Sequence, residues 1–188
     1  MKRGMLIILS GPSGVGKGTV RARLFEEEDL NLAYSISMTT RKIRPGEKEG
    51  VDYFFVTEEE FEKAIQEDQL LEYAKFVGNY YGTPRKYVDE LRDKGYNVVL
   101  EIEVEGAKQV MAKCKDAISI FLVPPSIEEL EHRIRNRRTE DEEVIKMRLN
   151  KAQVEMQSLD LYSHVVVNKD VPVAECEVCK IIKDYTKK

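Results

Sequence analysis

Residues 11–19 read Gly11-Pro12-Ser13-Gly14-Val15-Gly16-Lys17-Gly18-Thr19. Glycines at that spacing let successive backbone N–H groups turn inward around a polyphosphate, and a helix beginning there adds favourable dipole charge. Lys17 supplies a point charge for the β- and γ-phosphates. Such loops expect Ser or Thr directly after the lysine. Here Gly18 intervenes before Thr19, which leaves open the group that contacts a nucleotide-bound Mg²⁺. A second set of phosphate-seeking residues follows. Arg41 and Arg44 stand three apart in a Pro/Gly loop outside any helical pattern, placed to fork onto one phosphate, with tyrosines at 53, 80 and 81 adding hydroxyls. Glu101, Glu103 and Glu105 close a buried strand, where unpaired carboxylates are too costly to serve structure alone. Arg133, Arg135, Arg137 and Arg138 crowd between two polar helical segments, and phosphoryl transfer needs such positive charge.

These groups need a scaffold. Residues 5–10, 97–104 and 117–123 are continuous apolar runs of strand length and 164–168 a last strand, each joined to the next by a helical pattern. Strands buried on both faces and alternating with helices predict a three-layer α/β/α fold around a parallel sheet. Residues 17–28 are expected as the helix after the phosphate loop. Between 34 and 83 the texture changes to half-buried alternation: Tyr34, Ile36 and Met38 on one face of one strand, then 52–56 and 70–77. Capping boxes are expected at Thr57/Glu60, Ser126/Glu129 and Thr139/Glu142. Pro84 is expected at the first position of a helix that Gly95 closes, and an amphipathic helix from about 173 ends the chain. The expected division is a core of residues 1–33, 84–127 and 151–188, an inserted mixed α+β subdomain at 34–83, and a helical lid at 128–150. Phe54, Phe55, Phe61 and Phe76 are expected to form the small core of the insert.

The phosphate loop does not separate a GTPase, a motor ATPase and a small-molecule kinase. The remaining motifs do. S-x-T-T-R-x-x-R-x-G-E at 37–47, G-x-D-Y-x-F at 50–55 and E-x-A-x-x-x-G-N-Y-Y-G-T at 72–83 occur in order behind the phosphate loop, and together they resemble the guanylate kinases over residues 5–170. The resemblance implies direct, in-line, Mg²⁺-dependent transfer, ATP + GMP (and dGMP) to ADP + GDP, in purine nucleotide metabolism and GMP recycling. It implies that Arg41, Arg44, Tyr53 and Tyr81 hold the GMP phosphate and that Glu72 faces guanine. A carboxylate can accept from N1–H and N2–H₂ together, whereas adenine offers an acceptor at N1 and no amine at C2. It further places Ser37 and Thr83 as base-contacting hydroxyls, Thr83 donating to O6, and Glu47 near the base pocket. Glu101 and Glu103 would orient the metal shell and the acceptor, with Thr19 and Glu101 as the magnesium-side groups. Residues 11–19 with Arg137 and Asn168 would bind ATP, Asn168 beside the adenine. Lys17, Arg41, Arg133, Arg137 and Arg148 would carry catalytic charge. Three positions depart from the family pattern: Glu103 and Glu105, where Asp and Gln are usual, and Arg138, where Gly is usual.

Two rivals are weaker. A kinase-dead scaffold would lose the phosphate loop, yet Lys17 and its glycines are intact, and a GTPase would need an Asn-Lys-x-Asp run that is absent. A kinase for another nucleoside monophosphate is disfavoured by Glu72 and Thr83. The 188 residues carry 30 Lys+Arg and 34 Asp+Glu, a net charge of −4, which argues against a general nucleic-acid binder. No apolar run is long enough to span a bilayer, and the start Met1-Lys-Arg-Gly is not expected to be a signal peptide. Three cysteines point to a reducing cytoplasm, with Cys176 and Cys179 as plain thiols and not metal ligands. The expected partners are ATP and GMP alone, with no nucleic acid and no membrane; the oligomeric state stays open.

Overall fold

The computed structural model describes residues 2–136 and 141–187. Strand β1 (Leu6–Ser10) is buried along its whole length and pairs in parallel with β7 (Asn97–Glu101) and β8 (Ile118–Val123). β2 (Leu32–Tyr34) adds beyond β7 and β9 (His164–Val167) beyond β8, giving the parallel order β2-β7-β1-β8-β9. The two-residue period of a strand sorts its side chains into two cores. Ile7 and Leu9 face α1 (Lys17–Leu24) and α7 (Val171–Thr186) through Val20, Leu24, Val178 and Ile182. Leu6 and Ile8 face α3 (Arg85–Asp93) and α4 (Val104–Lys113) through Val88, Val104, Ala107 and Val110. The three expected layers are present.

A second sheet, β4-β3-β6-β5, stands apart from the first. Its strands are β3 (Met38–Thr39), β4 (Phe54–Phe55), β5 (Leu70–Phe76) and β6 (Asn79–Pro84); β3 and β4 are parallel and the other pairs antiparallel. Helix α2 (Glu58–Gln66) covers it, opened by the Thr57/Glu60 capping box with both reciprocal bonds formed. Helices α5 (Ile127–Arg135) and α6 (Glu142–Met156) pack on each other through Leu130, Ile134, Ile145 and Ala152.

Several boundaries differ from expectation. Tyr34 belongs to the core sheet, not the insert: β2 pairs with β7 (Tyr34 opposite Val99), and the chain reaches the second sheet only at Met38, so 34–38 is not one strand. α1 stops at Leu24, and Glu28–Leu30 forms a separate 3₁₀ turn. Pairing with β5 keeps Pro84 extended as the N-cap of α3, whose first residue is Arg85. β7 ends at Glu101, and Val104 already begins α4. α7 begins at Val171 with Pro172 in its first turn. At Ser126 only half of the capping box forms: its hydroxyl accepts from the Glu129 N–H, while the Glu129 carboxylate turns to Arg133. Thr139, Arg137 and Arg138 lie outside the described residues, and α6 is capped by Asp141 without a side-chain bond. Phe76 is not core; it is 67% exposed, and the insert's core is Phe61, Ala64 and Leu70 with Met38, Val56, Ile65 and Tyr80 against them. Phe54 and Phe55 are half-buried. Among the described residues no helix is long and apolar enough to cross a membrane.

Candidate active site

The phosphate loop runs from the end of β1 to the start of α1, at the carboxyl edge of the parallel sheet, where such folds bind ligands. Gly11, Gly14 and Gly16 all have positive φ (146°, 88° and 99°), a conformation that a Cβ disfavours. All three are also close to other atoms: a Cβ on Gly11 would lie 2.4 Å from the Leu122 carbonyl oxygen, one on Gly14 2.9 Å from Ile134 Cγ1, and one on Gly16 2.7 Å from Asn168 Nδ2. Val15 is buried beneath the loop, and its carbonyl accepts from Asn168 Nδ2 at 2.7 Å. Lys17 Nζ donates to the carbonyls of Gly11 (2.6 Å) and Pro12 (3.3 Å), which holds the ammonium over the mouth of the loop. Burial lowers its pKa, opposed by the charges of Glu101, Glu155 and Glu103 in that order. Ser13 Oγ accepts from Arg148 Nη2 at 2.7 Å, which brings α6 onto the loop.

A cavity of about 420 Å³ opens beside the loop, lined by Gly14–Gly16, Arg133, Asn136, Asn168 and Lys169. Arg133 is anchored there rather than over the loop's mouth: Nε donates to Glu129 (2.8 Å), Nη1 to the Asn168 carbonyl (3.0 Å) and Nη2 to the Lys169 carbonyl (3.3 Å). Its expected place over the phosphates is therefore not the one seen. Asn168 lines this cavity.

The second cleft, about 340 Å³, lies between the two sheets and is lined by Ser37, Tyr53, Glu72, Tyr81, Glu101 and Glu103 among others. A register shift between Leu70 and Glu72 lets three consecutive β5 residues be buried and sets Glu72 opposite Thr83. Glu72 is 7% exposed and Thr83 1%. Thr83 Oγ1 donates to Glu72 Oε1 at 2.5 Å, so its proton orients the carboxylate instead of facing the cleft, contrary to its expected contact with a base oxygen. Gly106, on α4, makes room for the other oxygen: a Cβ there would lie 2.7 Å from Glu72 Oε2. Burial raises the Glu72 pKa above its ordinary value, and the Thr83 bond only partly offsets it.

Arg41 and Glu47 form a two-bond pair, Nη1 to Oε2 at 3.0 Å and Nη2 to Oε1 at 2.7 Å. Glu47 also accepts from the Arg44 N–H at 2.8 Å. Glu47 thus shapes the arginine loop and does not stand at the base end. The Arg41 guanidinium lies 5.3 Å from the Tyr53 ring centre, and the Tyr53 and Tyr81 rings meet edge to face at 6.0 Å. Three of the four residues expected at the acceptor phosphate therefore cluster; Arg44 adds an exposed side chain at the loop's rim. Glu101 pairs with Arg21 at 3.0 Å, Glu103 with Lys151 at 2.7 Å, and Glu105 with Lys108 at 2.7 Å. Thr19 is exposed in the first turn of α1.

Sequence reasoning missed Gly106, Lys151 and Glu155. Glu155, 8% exposed, has an oxygen buried without a hydrogen bond. A lone glycine in a helix start and a polar helix face carry no signal until the opposite element is known.

A phosphate loop facing a second cleft, with an arginine pair at one end of that cleft and a buried carboxylate at the other, defines a kinase that moves a phosphoryl group between two small molecules, each in its own site. The family model described as guanylate kinase matches residues 3–185. The chain belongs to the guanylate kinase family, and it is a nucleoside monophosphate kinase. It is similar to the crystal structure of guanylate kinase from Anaplasma phagocytophilum, at 34% identity and a TM-score of 0.75, over 100% of this chain and 89% of that one. The SH3-kinase fragment of tight junction protein 3 shares the fold at 11% identity and a TM-score of 0.50, over 97% of this chain and 57% of that one.

Proposed function

We propose that this kinase transfers the γ-phosphoryl group of ATP to GMP, and to dGMP, with Mg²⁺, in the cytoplasm. The buried Glu72, aligned by Thr83 and given space by Gly106, carries the reading. A desolvated carboxylate with one oxygen free for the cleft accepts from the paired N–H donors of guanine and opposes the bare lone pair of adenine.

The loop's N–H groups and Lys17 hold the ATP phosphates, and Asn168 with the 420 Å³ cavity takes the donor base. Arg41, Arg44, Tyr53 and Tyr81 hold the phosphate of the acceptor, with Glu47 fixing the fork of Arg41. One phosphate oxygen of GMP then attacks the γ-phosphorus in line as ADP leaves, with no phosphoenzyme. Lys17, Arg148 beside Ser13, and Arg137 spread the charge that develops on the transferring oxygens. A magnesium ion held with the nucleotide would supply neutralisation of phosphate charge. Thr19 and Glu101 would suit it as oxygen donors, and Gly18 lies beside Glu101, a Cβ there falling 3.7 Å from Oε1 in ordinary contact. Among the described residues no group of three or more His, Cys, Asp or Glu forms a metal cage, which fits an ion held largely by phosphate and water. The insert and α5–α6 act as the two closing units over this site.

The test is ADP release with GMP, dGMP, IMP, AMP, CMP, UMP and dTMP as acceptors. GMP and dGMP should give the highest kcat/KM; a better pyrimidine or AMP would reject the guanine reading.

A further inference from the structure

Helix α4 meets β5 with more than Gly106. Gln109, one turn further along α4, directs its whole side-chain amide at one residue of β5. The Tyr73 N–H donates to Gln109 Oε1 at 3.1 Å, and Gln109 Nε2 donates to the Tyr73 carbonyl at 3.0 Å. A neighbouring strand would supply the same two bonds, so the amide closes the open edge of the second sheet at that residue. Another turn along, Lys113 Nζ donates to the Leu70 carbonyl at 2.7 Å and pairs with Asp68 at 2.7 Å. Residues 106, 109 and 113 share one face of the helix by their spacing, and that face runs along β5 from Leu70 to Tyr73. The register shift between Leu70 and Glu72 decides which amide meets Gln109. In a regular strand outward-facing amides recur every second residue, so Glu72 would follow Leu70; the extra residue hands that place to Tyr73.

Tyr73 adjoins Glu72 in the chain, and successive side chains of a strand point to opposite faces. A backbone fixed at Tyr73 therefore fixes where the Glu72 carboxylate enters the acceptor cleft. The bond that carboxylate receives from Thr83 comes from β6 of the same sheet and does not refer it to the core. Gly106 gives it room without bonding it. Gln109 itself is half-buried and is not among the residues that line the cleft.

We propose that Gln109 is a positioning residue for guanine selection: its amide locks the Tyr73 backbone to α4 and so holds the Glu72 carboxylate at a fixed place over Gly106. This rests on the guanine reading of Glu72 and adds to it a residue that touches neither nucleotide.

Gln109→Met keeps the length of the side chain and removes both bonds. kcat/KM for GMP should fall about tenfold, carried by KM, with kcat within about twofold of the parent. IMP, whose base offers Glu72 one donor in place of two, should lose only about threefold, so the GMP-to-IMP ratio of kcat/KM drops about threefold. Affinity for a non-hydrolysable ATP analogue should not change. A purely structural Gln109 would lower the melting temperature and cost GMP and IMP equally; an unaltered ratio therefore overturns the proposal. Gln109→Glu still accepts from the Tyr73 N–H but has no donor for the carbonyl, and its ratio should fall between those of the parent and Gln109→Met. Should Gln109→Met fail to fold, Gln109→Glu decides by itself, a parental ratio counting against the proposal. Gln109→Met combined with Glu72→Gln should show a ratio no lower than Glu72→Gln alone, because the amide acts through the carboxylate; a further fall overturns the proposal. A parent chain that does not prefer GMP to IMP sinks the reading of Glu72 and the proposal together. A parent that does prefer GMP, with both Gln109 variants keeping its ratio, overturns the role of Gln109 alone.

Discussion

Lys17 and Glu72 are both buried ionisable groups, and burial acts on them in opposite senses, lowering the lysine and raising the carboxylate. Lys17 is compensated by three carboxylates and two loop carbonyls, so it can stay charged beside phosphate. Lys17→Met should therefore abolish transfer while GMP still binds, measured by calorimetry with GMP alone; near-parental turnover would remove Lys17 from the mechanism. Among the described residues Glu72 has no cation partner; its help comes from the Thr83 hydroxyl. Its Gln replacement loses a charge-assisted bond of about 1.5–3 kcal/mol, so kcat/KM for GMP should drop by roughly one to two decades. IMP, lacking the C2 amine, should lose less, and equal losses for the two would take Glu72 out of base reading. The pH dependence has a fixed sign. The folded pKa lies above the ordinary 4.5, so guanine binding should weaken at a higher pH than an ordinary carboxylate would cause as the solution is acidified. For stability the raised pKa means that ionised Glu72 costs: its contribution is fully present below 4.5 and lost as pH rises through the folded pKa. Glu72→Gln should thus melt higher than the parent at pH 8, with the gap closing toward acid.

At the scale of elements, the acceptor end of the cleft is built by two that meet face on, the bulged strand β5 and the first turns of α4. Gly106 is the contact point. Alanine favours a helix over glycine by about 1 kcal/mol, yet a Cβ here would stand 2.7 Å from Glu72 Oε2. Gly106→Ala should raise the KM for GMP tenfold or more while leaving the affinity for an ATP analogue unchanged. Unchanged KM would mean that Glu72 can yield without cost and that its position is not set by α4. The loop end follows the same logic with a different partner, since Gly16 is small because Asn168 reaches across to Val15.

Across the whole molecule, two sheets and a helical pair enclose the site from three sides. α5 meets the core through Arg133 with the carbonyls of Asn168 and Lys169 and through Leu130 and Ile134 beside Gly14, and α6 through Arg148 with Ser13, Lys151 with Glu103, and Met156 against the central core. The second sheet likewise has its own small core, Phe61, Ala64 and Leu70. Leu71 of β5 and Met156 of α6 reach the central core, but each outer unit also has a core of its own and can move as a body, and closure would exclude water that otherwise hydrolyses ATP. A bisubstrate analogue should slow hydrogen exchange in α5, α6 and β3–β6 together, while β1, β7 and β8 stay protected throughout. Exchange unaltered in both outer units would rule out closure.

The phosphate loop was readable from the sequence because its chemistry is local: glycines, lysine and helix start are contiguous, and backbone sterics alone demand that order. The buried strands β1, β7 and β8 were readable for a similar reason, since continuous apolar runs have one stable placement between helix layers. The acceptor residues could be named from ordered motifs, but their division of labour could not. The motifs name these residues but not their mutual bonds: Thr83 donates to Glu72, Glu47 pairs with Arg41, and Arg133 donates to the Asn168 carbonyl beside the loop. Tyr34 read as part of the insert, yet pairing with β7 places it in the core. The hydrogen-bond partner lies 6 residues from Glu47, 11 from Thr83 and 35 from Arg133, and side-chain hydrogen bonds are chosen by what the fold brings within about 3 Å. Gly106 shows the limit most clearly: a missing Cβ acquires meaning only once α4 meets β5.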